Sequence, residues 1–464
     1  MALKKSSGPK ESSVIEYLHQ RRIALLGLGV ENRALAHFLH AHQIPFAVCD
    51  VRDPATPVEG VQQWRIGEGY LDDLTDFDLL FRTPGLPTLD PRLRAARRCG
   101  VEVSSQTRLF LQLCPAPVLG ITGTKGKGTT TALLHALLAT DPAARVFSGG
   151  NIGRPPLEFI DELQATDRVV LELSSFQLQD LDQSPHIAVV LSVTEDHLDY
   201  HVDRAEYVAA KKPVCCYQTH GDILIVNWDC PTARAFAEES PAALWSFSTT
   251  SPSIPGAWVA AGQLWACCPR TQPIAICPVV DLPLRGQHNW SNVVAAVAGA
   301  LAFGAPATHF AEALRAFTGL PHRLEYVAER DGVTYYNDSL ATTVDATCAA
   351  LRAFDAPLLL IVGGASKGAD FSTLGTTIAE ANVRAVLLIG QEAPRIAAAI
   401  QQAGTGGIIH CCRDLPQALD AARRLAQTGD VVLLSPACAS FDQFSSYAER
   451  GDLFKRLVRT VGVV

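Results

Sequence analysis

Apolar and polar positions follow one repeating order along most of this chain. A short apolar run is followed by a polar or glycine-rich turn, then by a stretch whose apolar residues recur at helical spacing. Apolar runs at 22–26, 46–49, 78–81, 118–121, 168–173 and 187–193 predict strands, as do those at 357–362, 385–389, 407–411 and 431–434. Helical periodicity predicts helices ahead of residue 22 and over 33–41, 129–138, 205–216, 373–380, 393–403 and 415–427. Residues 244–285 lack this order and read as a few β-hairpins, and an alanine-rich helix opens after Gly286. Strands that alternate with helices imply open, parallel, doubly wound sheets.

A chain of 464 residues is too long for one core, and the length prior is about three domains. The expected divisions are 1–105, 106–319 and 320–464. Hydrophobic content of 48% supports large cores. A net charge of −8 argues against a nucleic-acid binder held by phosphate contacts. The near-apolar stretch 293–307 is too short to span a bilayer, and 1–13 is polar, so neither a membrane span nor a signal peptide is expected. The 13 cysteines form three adjacent pairs and no C-x-x-C. That pattern points to reduced cytoplasmic thiols serving as core filler.

The stretch from Val118 to Thr131 carries the most chemistry. Its apolar run leads into Gly123-Thr124-Lys125-Gly126-Lys127-Gly128-Thr129-Thr130. Glycines let backbone approach phosphates, successive N–H groups point inward, and the following helix end adds partial positive charge. Lys127 is placed to reach the terminal phosphates of ATP. The spacing is a short variant, and the longer G-x-x-x-x-G-K-[ST] form fails. Gly128 stands where a Mg²⁺-binding hydroxyl is expected, which leaves Thr129 or a water to take that place. Near the N-terminus, Gly27-Leu28-Gly29-Val30-Glu31-Asn32 follows a strand, and Asp50 comes 21 positions after Gly29. This fits a nucleotide-binding turn in which Asn32 holds the place of the third glycine. Glu172 stands in an apolar strand end, where a carboxylate is costly unless paired with a cation such as a metal.

These segments are joined by Gly149-Gly150-Asn151-Ile152-Gly153, Leu171-Glu172-Leu173-Ser174-Ser175-Phe176-Gln177 and Val193-Thr194-Glu195-Asp196-His197. Gly286-Gln287-His288-Asn289, Pro321-His322-Arg323, Asn337-Asp338-Ser339 and Leu434-Ser435-Pro436-Ala437-Cys438-Ala439-Ser440 follow in order. Together they resemble the Mur ligases, the family that builds the peptide of bacterial peptidoglycan. Ser-Ser-Phe-Gln and Ser-Pro-Ala-Cys-Ala-Ser resemble its D-glutamate-adding branch. The resemblance implies three α/β domains: Rossmann-like, P-loop ATPase-like and Rossmann-like. It implies a monomer using ATP, Mg²⁺, UDP-N-acetylmuramoyl-L-alanine and D-glutamate, with an acyl phosphate as intermediate. Lys127, Glu172, His197 and Lys211 would be catalytic, the last three with Thr129 on Mg²⁺ and Lys211 carbamylated. Gly123, Thr124, Lys125, Gly126, Gly128, Thr130, Asn289, Asn292, Arg323 and Asp338 would join Lys127 and Thr129 at ATP. Gly29, Val30, Glu31, Asp50, Thr83, Pro84, Gly85, Asn151, Ser174 and His197 would hold the UDP-sugar, and Lys367, Ser440 and Tyr447 the amino acid.

Three residues depart from the family pattern: Gly128, Leu340 in place of a lysine, and Tyr447 in place of a phenylalanine. They leave open a nucleotide- and UDP-sugar-binding protein without ligase activity, and a ligase with another acceptor. An NAD-dependent oxidoreductase explains only the first hundred residues.

Overall fold

The computed structural model describes residues 11–53, 58–151, 153–194, 200–250, 255–284, 287–366, 369–404 and 408–460. The described residues contain three sheets. They pack into two compact units, Met1–Pro283 with Gln287–Phe317, and Leu284–Gly286 with Thr318–Val464.

Helix α1 (Glu11–His19) leads into β1 (Ile23–Leu26), α2 (Val30–Ala41), β2 (Phe46–Asp50), β3 (Val61–Ile66), β4 (Leu79–Arg82), α3 (Pro91–Arg98) and β5 (Glu102–Ser104). The first sheet runs β3-β2-β1-β4-β5, all parallel. Its central strands are buried along their whole length, which is why they read as unbroken apolar runs. Chain order reverses at β1, and at such a point open α/β sheets place ligands beyond the C-terminal strand ends, here those of β1 and β4. Strand β3 was not expected. It is a largely exposed edge strand without an apolar run.

Next come α4 (Gln106–Leu113), β6 (Val118–Thr122), α5 (Lys127–Leu138), β7 (Val146–Gly150), β8 (Arg168–Glu172), α6 (Ser175–Leu178), β9 (Ile187–Val190), α7 (Arg204–Ala209), β10 (Ile223–Asn227) and α8 (Pro231–Arg234). The sheet continues through β11 (Ala243–Ser248), β12 (Gly256–Ala260), β13 (Gln263–Cys267) and β14 (Ile274–Pro278), then α9 (Gln287–Ala302) and α10 (Phe310–Ala316). The order is β14-β13-β12-β11-β10-β9-β6-β8-β7. Strand β6 lies between β9 and β8, so its following loop sits between their C-terminal ends. Two expectations are corrected. The helix expected over 205–216 stops at Ala209, and a separate short turn covers Lys212–Val214; Pro213 lacks an N–H and disfavours helical backbone before it. In 244–285, β11 and β12 extend the parallel sheet, and only β12-β13-β14 are hairpins.

The second unit contains β15 (Glu325–Arg330), β16 (Val333–Asn337), α11 (Val344–Leu351), β17 (Leu358–Gly363), α12 (Ser372–Glu380), β18 (Val383–Ile389), α13 (Ala393–Gln402), β19 (Ile408–Cys411), α14 (Leu415–Leu425), β20 (Val431–Leu434) and α15 (Tyr447–Arg459). Its order is β15-β16-β20-β17-β18-β19, parallel except for the β15–β16 hairpin. That hairpin turns at Asp331-Gly332, both in left-handed conformation. This is a strong short-range hairpin signal, and it went unread in the sequence. Among the described residues no helix is long and apolar enough to cross a membrane.

Candidate active site

The loop after β6 is shaped by two glycines. Gly126 caps α5 with φ of 87° and makes no side-chain cap hydrogen bond, and a helix start of this kind is suited to an anion. A Cβ at Gly126 would lie 2.3 Å from Asn292 Oδ1. The Thr130 hydroxyl donates to that same oxygen (3.4 Å), and Asn292 Nδ2 donates to Asn289 Oδ1 (3.1 Å). Helix α9 thus braces the loop through Asn289 and Asn292. Lys127 folds back, its amine donating to the Gly123 and Thr124 carbonyls (both 3.1 Å). Lys125 is exposed, whereas Gly128, Thr129 and Thr130 are buried.

Lys211 arrives from the far end of α7 and is 1% exposed. Its amine donates to the Gly123 carbonyl (3.3 Å) and lies 4.4 Å from the Tyr207 ring centre. The Tyr207 hydroxyl donates to Thr124 Oγ1 (3.1 Å), which also accepts from the Thr194 N–H (2.9 Å). Two lysine amines therefore converge on one carbonyl. Glu172 ends β8 opposite Ile121, 2% exposed, so its carboxylate emerges beside the loop. Asn151 holds it there, with Nδ2 donating to Glu172 Oε1 (3.0 Å) and N–H to the Glu172 carbonyl (2.9 Å). His197 lies outside the described residues. Among the described residues no three His, Cys, Asp or Glu groups form a ready-made metal cluster. Glu172 supplies hard carboxylate oxygen beside an open anion cradle, a donor set that fits a Mg²⁺–phosphate pair completed by water.

Beyond β1 and β4 a second set of turns converges. Asp50 accepts from the Leu28 N–H (2.6 Å) and fixes the glycine turn. Asn32 is fully buried and donates to the carbonyls of Gly27 (2.7 Å), Phe81 (3.2 Å) and Leu26 (3.3 Å), tying the ends of β1 and β4 together. Gly29 caps α2 without a side-chain acceptor. Thr83 stands over the turn: a Cβ at Gly27 would lie 2.6 Å from its Cγ2, and one at Gly29 3.0 Å from its Oγ1. Pro84 and Gly85 continue that loop, and Val30 is exposed beside it. The Glu31 carboxyl faces α6, where Gln177 Nε2 donates to its Oε1 (2.6 Å). Burial pushes its pKa up to about 7, against the pull of Gln177 and Arg82. Gln177 Oε1 in turn accepts from the Ser174 N–H (2.9 Å) and hydroxyl (3.0 Å).

Sequence reasoning missed Arg82, although a charged residue closing an apolar strand was the signal already applied to Glu172. It is fully buried. Burial works against its charged form, and the attraction of the Asp180 carboxylate outweighs that cost.

In the second unit, loops after β16, β17 and β20 meet around a cavity of 320 Å³, lined in part by Thr342, Thr343, Asp345, Asp370 and Cys438. His322 and Leu324 hold left-handed φ of 64° and 42°, which leaves Arg323 exposed between them. Asp338 is buried. Its carboxylate accepts from the Ser435 hydroxyl (2.7 Å) and the Leu324 N–H (3.0 Å), and burial raises its pKa to about 6. Its place is therefore inside the scaffold that carries Arg323. Ser440 is buried, and its carbonyl accepts from Gln443 and Phe444. Tyr447 starts α15, and its carbonyl accepts from the Ser339 hydroxyl (2.8 Å). Arg450, also unforeseen, is buried and donates to Ser339 Oγ (2.9 Å) and to the Cys438 carbonyl (3.2 Å), joining two of the loops. Leu340 donates its N–H to the His322 carbonyl (2.9 Å). Lys367 lies outside the described residues.

Known family models match this chain in three segments. Residues 21–105 match the Mur ligase MurD-like N-terminal domain, 121–300 the Mur ligase middle domain, and 322–438 the Mur ligase glutamate ligase domain. The UDP-N-acetylmuramoylalanine--D-glutamate ligase of Symbiobacterium thermophilum is 42% identical, covering 95% of this chain and 98% of the relative. The enzyme of that name from Acetivibrio thermocellus is 38% identical over 96% and 97%. Among solved structures, MurF from Acinetobacter baumannii superposes with a TM-score of 0.60 at 17% identity, covering 97% and 99%. UDP-N-acetylmuramate-alanine ligase MurC from Thermotoga maritima gives 0.56 at 16% identity, covering 95% and 100%. At those identities the structures establish the shared fold of three α/β domains. Matched along nearly its whole length by sequences above 30% identity, the chain belongs to the Mur ligase family, in its MurD branch.

Proposed function

We propose that this chain is the ATP-dependent ligase that joins D-glutamate to UDP-N-acetylmuramoyl-L-alanine during peptidoglycan precursor synthesis. The activity named for its full-length relatives supports this reading. The observation that carries the chemistry is the β6–α5 loop, with Lys127 and Lys211 on one carbonyl and Glu172 beside them. Phosphoryl transfer asks a protein mainly for positioning and charge neutralisation. The α5 N–H groups and Lys127 would bind the β- and γ-phosphates of ATP. The turns after β1 and β4 would hold the UDP part, with Ser174 and Asn151 nearby. Once the alanyl carboxylate is phosphorylated, the amine of D-glutamate attacks and phosphate leaves.

Glu172, Thr129, His197 and a carbamylated Lys211 would hold Mg²⁺, which supplies charge neutralisation on the transferring phosphoryl oxygens. The carbamate has a physical motive here. Two ammonium groups on one acceptor repel, which favours loss of a proton from one; that neutral amine adds dissolved CO2 and releases a second proton, and the resulting carbamate anion attracts the remaining ammonium. The acceptor would sit with Lys367, Ser440 and Tyr447. We infer a cytoplasmic monomer; the absence of a disulfide among the described residues is consistent with a reducing compartment.

A second reading, a less anionic acceptor, is favoured by Asp345 and Asp370 on the 320 Å³ cavity and by Leu340 nearby in sequence. Phosphate release with UDP-N-acetylmuramoyl-L-alanine and a panel of amino acids tests both. The first requires D-glutamate to be incorporated fastest at equal concentration. A neutral amino acid winning that comparison overturns the acceptor while leaving the ligase chemistry in place.

A further inference from the structure

The Arg82 guanidinium joins two segments that are far apart in sequence. From β4 its Nε donates to Asp180 (3.0 and 3.3 Å), and Nη2 donates to Asp180 Oδ2 (2.6 Å) and to the Phe176 carbonyl (2.7 Å). Nη1 turns back to its own loop and donates to the carbonyls of Pro84 (3.2 Å), Thr83 (3.3 Å) and Leu86, and to the Tyr200 hydroxyl (3.1 Å). That hydroxyl donates in turn to Leu86 (3.2 Å) and Pro84 (3.3 Å). A second cation, Arg97 from α3, reaches Asp180 Oδ1 at 3.6 Å. One planar fork thus fixes the 83–86 turn against the segment 174–180, which carries Ser174 and Gln177.

We propose that Arg82, with Asp180 and Tyr200, is a positioning group that sets the UDP-sugar site by holding these two walls in register. The inference rests on the proposed placement of the UDP-sugar beside these turns. Planarity is essential: lysine keeps the charge but has a single ammonium, which cannot span a carboxylate on one side and a row of carbonyls on the other.

The test measures steady-state KM for each substrate in four proteins: wild type, Arg82→Lys, Tyr200→Phe and the double variant Arg82→Met/Asp180→Leu. Removing only Arg82 strands a buried carboxylate and risks misfolding, whereas the apolar pair keeps the core folded. Thermal unfolding checks that each protein is folded. Arg82→Lys and the double variant should raise KM for UDP-N-acetylmuramoyl-L-alanine about tenfold or more, and Tyr200→Phe a few-fold. KM for ATP should stay within about twofold. An unchanged UDP-sugar KM in the folded double variant overturns the inference, and so does an equal rise in both KM values. If wild type fails to turn over the UDP-sugar at all, the function proposed above fails instead.

Discussion

At the residue scale, the site depends on a few charges held where water cannot screen them. Lys127→Ala should lower turnover by about 10³ or more, because the phosphoryl charge loses its fixed partner. Binding of the UDP-sugar, measured by calorimetry, should persist, because the proposed site of its UDP part, the turns after β1 and β4, lies on another sheet. Lys211→Ala should be nearly inactive, and added formate or acetate should restore part of the rate by supplying the missing anionic oxygen. Full activity of Lys211→Ala in millimolar Mg²⁺ would falsify the carbamate reading. Glu31 gives a stability signature with a definite sign. Its pKa rises from 4.5 to about 7 on burial, so between those values the folded chain holds a proton that the unfolded chain has released. Its contribution therefore declines as pH rises through that window and stays low above it. Glu31→Gln should be more stable than wild type at pH 8, by at most about 3 kcal/mol, and level with it near pH 4. Urea midpoints at the two pH values decide this.

At the element scale, strand ends and helix starts set the spacing of the chemistry. Strand β7 ends at Gly150, whose φ of 107° and close packing leave no room for a side chain. A Cβ there would lie 2.2 Å from the Glu172 carbonyl. Gly150→Ala should push β7 away from β8 and detach Asn151 from the Glu172 carboxylate. The expected cost is about 2 kcal/mol or more, from backbone strain and overpacking together. Turnover should drop along with melting temperature. Wild-type kinetics in a destabilised Gly150→Ala would mean that Asn151 does not hold Glu172 for catalysis.

At the scale of the whole molecule, the first two sheets share one hydrophobic cluster. It runs from Val14 through Phe81, Phe110 and Val118 to Phe236 without a break. The clusters of the third sheet contain only residues of the second unit. A shared core melts as one cooperative block, so scanning calorimetry should resolve two transitions and not three. UDP-N-acetylmuramoyl-L-alanine should raise the melting temperature of one of them, by mass action on the unit that binds it. Three separate transitions would show that the Arg82–Asp180 pair and the common core do not couple the first two sheets.

Sequence alone determined what contiguous residues can encode. Strand runs buried on both faces had to be continuously apolar, so β1, β6, β17 and β20 were legible. The cradle from Gly123 to Thr130 could be read because its glycines, lysine and helix start are neighbours in the chain. Edge strand β3 could not be read, since an exposed strand needs no apolar pattern. Tertiary structure decided the partnerships. Lys211 meets Gly123 across 88 residues, and Arg82 meets Asp180 across 98. Such meetings depend on sheet order, and sheet order is set by how helices and strands bury their faces together, which no local stretch of sequence contains.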